Sequence, residues 1–175
     1  FLLICLSPIL FIVAIAIIVD DGFPILFRQK RVSQNNAHFL IYKFRTMKKN
    51  APDIATHLVK DGTSLYTSIG LFLRKFSFDE LPQLINILKG DMNFIGPRPA
   101  LHNQGDLIEL RTQTGVHTLM PGVTGWAQVN GRDELPIPEK VALDVEYMER
   151  QSFWFDLYIL WLTVLKVVRR DGVSH

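Results

Sequence analysis

The sequence has one cysteine, Cys5, so it carries no internal disulfide framework and demands no oxidising compartment. It is sparing with glycine and proline, 11 and 9 in 175 residues, and holds 11% aromatics, which excludes collagen-like, low-complexity and disordered chains. It lacks net charge of any size: 19 Lys+Arg against 17 Asp+Glu leaves +2, so charge gives no case for nucleic acid as a partner. No P-loop, no G-x-G-x-x-G and no G-x-S-x-G is present, and any nucleotide must be held by another architecture. The five histidines (His38, His57, His102, His117 and His175) show no metal-ligand spacing and have no cysteine partner, which argues against zinc. No internal repeat appears, and the length with 48% hydrophobic residues suits one domain with a substantial core.

The charge that exists is unevenly placed. Residues 1–19, FLLICLSPILFIVAIAIIV, have none. As a helix they would span about 28 Å, close to the ~30 Å hydrocarbon core of a bilayer. A chain this small rarely surrounds such a segment completely, which disfavours the competing reading of a buried core helix. A signal peptide is also disfavoured, because no basic n-region precedes the run and Asp20-Asp21-Gly22 makes a poor cleavage site. The chain opens at Phe1 rather than Met, so the apolar segment is expected to begin earlier in the full protein. Pro8 removes one N–H and clashes with the preceding turn, so a kink or break is expected at Ser7-Pro8, with the Ser hydroxyl a natural partner for the freed carbonyl. A kinked span and a re-entrant helix both satisfy this pattern. From Arg28 to Lys49 there are seven basic residues and no acid, which by the positive-inside bias places the domain after the helix on the cytoplasmic side.

The remainder reads as α+β, mainly helical with a small β-hairpin. Ile25–Gln29 and Phe39–Phe44 flank the polar Ser33-Gln34-Asn35-Asn36 and predict that hairpin. Residues 46–64 are polar and predict a loop or short helix. Ile69, Phe72, Leu73 and Phe76 share a face and predict a helix over Ser68–Phe76. A second is expected from Ser77 to Leu88, and others over 101–115 and 138–151. Residues 153–170 predict an apolar terminal helix in which Asp156, Thr163, Lys166 and Arg170 form a narrow polar stripe. It either packs into the core or lies in the membrane interface.

Chemistry concentrates in Phe78-Asp79-Glu80-Leu81-Pro82-Gln83. The plain reading is a capping box, Ser77-x-x-Glu80. The functional reading is that Asp79 is a nucleophile beside a second carboxylate, with a divalent metal and phosphate oxygens absorbing both charges. Aspartate can form an acyl phosphate, which splits one hard transfer into two easier ones. In Gly96-Pro97-Arg98-Pro99 two prolines restrict the backbone around Arg98, and a rigidly presented guanidinium suits phosphate. Lys43 and Arg45 fall on one face of an extended segment, with Tyr42 and Phe44 on the other.

Six strings in order, Ser7-Pro8, FRQKRVS (27–33), YKFRTM (42–47), FDELPQLINILKGDM (78–92), GPRP (96–99) and PGVTGWAQVNGR (121–132), resemble the bacterial sugar transferases, the monotopic polyprenyl-phosphate phosphoglycosyl transferases. The resemblance spans residues 1 to about 172. It implies a re-entrant membrane helix broken at Ser7-Pro8 over residues 1–22, and a catalytic domain over 23–175 at the cytoplasmic face of the bacterial inner membrane. It implies transfer of a sugar 1-phosphate from a UDP-sugar to undecaprenyl phosphate with Mg²⁺, releasing UMP, as the first membrane step of exopolysaccharide, O-antigen or glycoconjugate synthesis. Membrane lipid is implied as a partner, and downstream glycosyltransferases as further ones. Asp79 would be the nucleophile that forms a covalent phosphosugar and Glu80 its dyad partner, both beside the metal. Lys43, Arg45, Arg74, Arg98 and Arg132 are the phosphate-binding candidates. Ser33, Phe76 and Phe78 depart from the family pattern, which commonly has Gly, a small polar residue, and Leu or Ile there. Two rival readings are a non-catalytic adaptor binding anionic lipid and a polyprenyl phosphate phosphatase.

Overall fold

The computed structural model describes residues 2–49, 65–131 and 135–169. The chain divides into two compact units, one from Phe1–Arg28 and Tyr42–Leu84, the other from Gln29–Ile41 and Ile85–Gly172. The expected loop or short helix within 46–64 falls largely, at residues 50–64, outside the described residues.

The first unit begins with helix α1 (Leu2–Asp21), twenty residues with no charge before Asp20. Only Val13 and Ile17 are buried, while Phe11 is 66% exposed and Val19 81%. So large an apolar surface is stable when lipid solvates it, and the helix is long enough to cross a bilayer. Pro8 lies inside the helix, which runs on through Ser7-Pro8 without interruption. The carbonyl that Pro8 deprives of its N–H is that of Ile4, and the Ser7 hydroxyl donates to it at 2.7 Å. Strand β1 (Leu26–Val32) and strand β2 (His38–Phe44) form the expected antiparallel hairpin, joined through a 3₁₀ turn at Gln34–Asn36. Asn35 and Asn36 hold positive φ there, which asparagine tolerates better than most residues. Val13 and Ile17 of α1 pack with Phe44 of β2 and Leu73 of helix α2 (Gly70–Lys75). The start of α2 closely approaches the backbone that follows β2: a Cβ on Gly70 would lie 2.0 Å from the Thr46 carbonyl oxygen, so only glycine fits.

The helix expected from Ser77 begins later. A 3₁₀ turn covers Phe78–Glu80, and helix α3 (Gln83–Lys89) starts only after Pro82. Proline cannot donate, so it is tolerated at a helix start and not inside one.

In the second unit, Asn86 of α3 is fully buried and donates to the Leu40 carbonyl at 2.7 Å and to Asp91 at 3.1 Å. Strand β3 (Asn93–Ile95) pairs in parallel with strand β4 (Gly122–Thr124), Asn93 opposite Gly122 and Ile95 opposite Thr124. Between them runs helix α4 (Gly105–Gln113), shorter than the predicted 101–115. Helices α5 (Trp126–Asn130), α6 (Ile137–Arg150) and α7 (Phe153–Arg169) complete the described chain. The terminal helix packs into the core along one side and leaves the other exposed. Phe155 and Ile159 are buried against Val129 and Tyr147, whereas Trp154 is 75% exposed and Trp161 56%. Burial, reinforced by the Asp156 carboxylate that accepts its hydroxyl at 2.9 Å, pushes Tyr147 above the usual phenol range.

The strongest polar element of this unit is a buried ion pair. Arg111 of α4 donates through Nε and Nη2 to Asp144 of α6, at 3.0 and 2.7 Å. Burial pushes the Asp144 carboxyl up and the Arg111 guanidinium pulls it back. Removing one partner leaves a buried charge unpaired. Arg111→Met is therefore expected to cost about 3–5 kcal/mol in denaturant unfolding. Arg111→Met with Asp144→Leu is expected to recover most of that loss.

Candidate active site

Strand β2 alternates Tyr42, Lys43, Phe44, Arg45 at its end, which puts the two cations on one face. Each is engaged within the first unit. Lys43 Nζ lies 2.7 Å from Glu80 Oε1, with both side chains mostly buried at 15% and 10% exposure. Arg45 donates to Asp21 Oδ2 at 2.6 Å and to the backbone carbonyls of Asp21 and Gly22 at 3.0 and 2.6 Å. Cations at a helix C-terminus satisfy carbonyls that have no partner in the helix. Asp20 secures the same junction by accepting the Ile69 N–H at 3.1 Å. Arg45 thus closes over the end of α1.

Asp79 and Glu80 stand in the 3₁₀ turn, and Asp79 is 8% exposed. The capping box does not form. Ser77 sits in the left-handed region at φ 56° and makes no side-chain cap, while Glu80 reaches to Lys43 instead of back to Ser77. A non-glycine residue in that conformation costs about 1–2 kcal/mol. The cost is borne where the chain turns sharply from α2 into the dyad. Arg74, three residues before Ser77, donates to the Tyr66 hydroxyl at 3.1 Å and stacks over its ring at 5.2 Å. Lys43, Arg45, Arg74, Asp79 and Glu80 all belong to the first unit, and of these Lys43 and Glu80 are in direct contact.

Gln83, unremarked in the sequence, is 1% exposed and its Nε2 has no hydrogen-bond partner. Its signal was a polar residue at the first position of a helix that otherwise reads as apolar.

Arg98 belongs to the second unit. The backbone of its loop is gripped at three consecutive carbonyls. Pro97 accepts from the Gly122 N–H at 3.0 Å, Arg98 from Arg111 Nη1 at 2.8 Å, and Pro99 from Arg31 Nη1 at 3.1 Å. Arg111 and Asp144 are therefore supporting residues of this loop that sequence reasoning missed. The available signal was a charge on the apolar face of each helix, four residues after Leu107 and three after Val141. Arg132 lies outside the described residues.

Among the described residues no group of three or more His, Cys, Asp or Glu is assembled for a metal. Asp79 and Glu80, adjacent in the chain, are hard oxygen ligands of the type that Mg²⁺ takes alongside phosphate oxygens.

A family profile described as bacterial sugar transferase matches residues 1–170. The chain belongs to that family. It is 43% identical over 177 residues to an uncharacterized sugar transferase, EpsL, of Bacillus subtilis, covering all of this chain and 85% of that one. It is 39% identical to the undecaprenyl-phosphate glucose phosphotransferase of Komagataeibacter xylinus, over 95% of this chain and 34% of the relative. To the UDP-glucose:undecaprenyl-phosphate glucose-1-phosphate transferase of Escherichia coli it is 38% identical, over 94% of this chain and 37% of the relative. The chain thus spans about a third of the length of the latter two.

Removing the Arg45 guanidinium should loosen the junction of α1 with the hairpin. Arg45→Ala is expected to lower stability in detergent by about 2–3 kcal/mol. Arg45→Lys should recover less than half of that, since a single ammonium cannot fork across acceptors on two residues. Denaturant unfolding of the three proteins checks the order.

Proposed function

We propose that this protein is a phosphoglycosyl transferase that moves a sugar 1-phosphate from a UDP-sugar to undecaprenyl phosphate. The observation that carries the reading is the Asp79-Glu80 dyad, mostly buried, with Glu80 held by Lys43. The names of the relatives supply both substrate classes. An Asp79 carboxylate oxygen attacks the β-phosphorus of the UDP-sugar. The bond from that phosphorus to the α–β bridging oxygen breaks, and UMP leaves with the oxygen. A phosphate oxygen of the lipid then attacks the same phosphorus, displaces the Asp79 carboxylate, and yields the polyprenyl diphosphate sugar.

The residues of this chain have separable tasks in that sequence. The Lys43 ammonium neutralises and orients Glu80, so that two neighbouring carboxylates are tolerated in a poorly solvated turn. Asp79 and Glu80 would hold Mg²⁺, which when bound neutralises phosphate charge. Lys43, Arg45, Arg74, Arg98 and Arg132 are the phosphate-binding candidates. Apolar α1 anchors the protein in the bacterial inner membrane, and the bend allowed at Ser7-Pro8 would let it re-enter the cytoplasmic leaflet. The basic residues Arg28, Lys30 and Arg31 just beyond favour the cytoplasmic face for the rest.

Asp79→Asn keeps the shape of the side chain and removes the nucleophilic charge. It is expected to lower UMP release by at least ~10³-fold, the scale seen when a nucleophile is removed. Wild-type rates of UMP release across a panel of UDP-sugars would identify the donor. Undiminished UMP release by Asp79→Asn would contradict the mechanism. Inorganic phosphate in place of UMP would mark a lipid phosphatase.

A further inference from the structure

Three phenylalanine rings crowd the approach to the dyad. Phe72 and Phe76 have ring centroids 4.8 Å apart, and Phe78 lies 6.1 Å from each of them. Phe72 is 54% exposed and its neighbour Leu71 37%. Scattered exposed apolar residues are ordinary on a protein surface, but rings in mutual contact form a patch, and such patches mark binding sites. Phe78 directly precedes Asp79, and it packs in the same apolar cluster as Val13 and Ile17 of α1. Apolar packing therefore runs from α1 to the residue beside Asp79.

We propose that Phe72, Phe76 and Phe78 seat the first isoprene units of the lipid phosphate acceptor. The proposal rests on the transferase reading above and adds where the acceptor's tail lies. An acceptor that is charged at one end and hydrocarbon beyond it needs two surfaces side by side. Phe78 is the chain neighbour of Asp79, so the rings adjoin the dyad directly. The rings present no hydrogen-bond donor or acceptor to a sugar or a diphosphate, whereas isoprene units offer methyl and C–H groups suited to ring faces and edges. Continuity with α1 fits a ligand that arrives from the hydrocarbon rather than from water.

The test uses the full chain in detergent micelles, where no bilayer contributes. Wild type, Phe72→Ala, Phe72→Ala with Phe76→Ala, and Phe72→Leu with Phe76→Leu are compared. Each is assayed for UMP release from the UDP-sugar without acceptor, and for full turnover with a long polyprenyl phosphate and with the phosphate ester of one isoprene unit. The double alanine variant is expected to raise KM for the long acceptor about tenfold, the scale of one lost aromatic contact. It should narrow the preference for long over short acceptor while leaving KM for the UDP-sugar unchanged, and the leucine pair should restore most of the preference. If the double variant does not fold by circular dichroism, Phe72→Ala carries the test, because its ring is more than half exposed. An unchanged KM for the long acceptor would overturn the proposal. A raised KM for the UDP-sugar alone would overturn it in favour of nucleotide stacking. Failure of the transferase reading itself would look different, since wild type would then release no UMP at all.

Discussion

The cations Lys43 and Arg45 at the end of strand β2 organise the first unit. Two cations two residues apart point the same way because side chains alternate along a strand. Arg45 closes over the end of α1, taking a carboxylate and two backbone carbonyls. Lys43, one step back, takes Glu80 of the dyad. The two cations thereby hold both the end of α1 and the turn that carries Asp79 and Glu80. Neither grip would be worth much in water, where exposed ion pairs contribute little. Both are mostly shielded, so the penalty for breaking them is large, and the segments they join are held in one geometry.

The second unit applies the same principle to backbone. Consecutive carbonyls in a loop are costly to bury unless each finds a donor. Around Arg98 the donors are a strand N–H and two arginines, and one of these arginines is itself locked by the buried Asp144. A loop held at three successive carbonyls keeps little freedom, so its central side chain is presented in a restricted set of directions. The glycines nearby serve that tightness. A Cβ on Gly125 would lie 2.1 Å from the Gly96 carbonyl oxygen.

What was legible in the sequence was local. The hairpin, the apolar first and last helices and the stiffness around Arg98 all arise from patterns within a few residues. The strand Leu26–Val32 extends beyond the expected 25–29 because Lys30 and Arg31 look like loop residues when their pairing strand is not in view. The role of Ser7 was readable because its partner, the Ile4 carbonyl, is only three residues away. Ser77-x-x-Glu80 misled as a cap because the winning partner, Lys43, is 37 residues distant. Arg45 was similarly opaque: a basic residue in an aromatic strand suits phosphate and helix carbonyls equally well, and only the fold chooses. Arg111 and Asp144 left a fainter trace, a charge on the wrong face of each helix.

The proposed mechanism makes one central chemical claim, that Asp79 becomes covalently attached to the transferred group. The decisive measurement is mass spectrometry of the intact protein after mixing with the donor UDP-sugar and Mg²⁺, with no lipid acceptor present. The expected result is a mass gain of one sugar phosphate, mapped by peptide analysis to Asp79 and discharged when polyprenyl phosphate is added. Turnover to the lipid product with no adduct under rapid quench, or an adduct mapped to any other residue, would refute covalent transfer through Asp79.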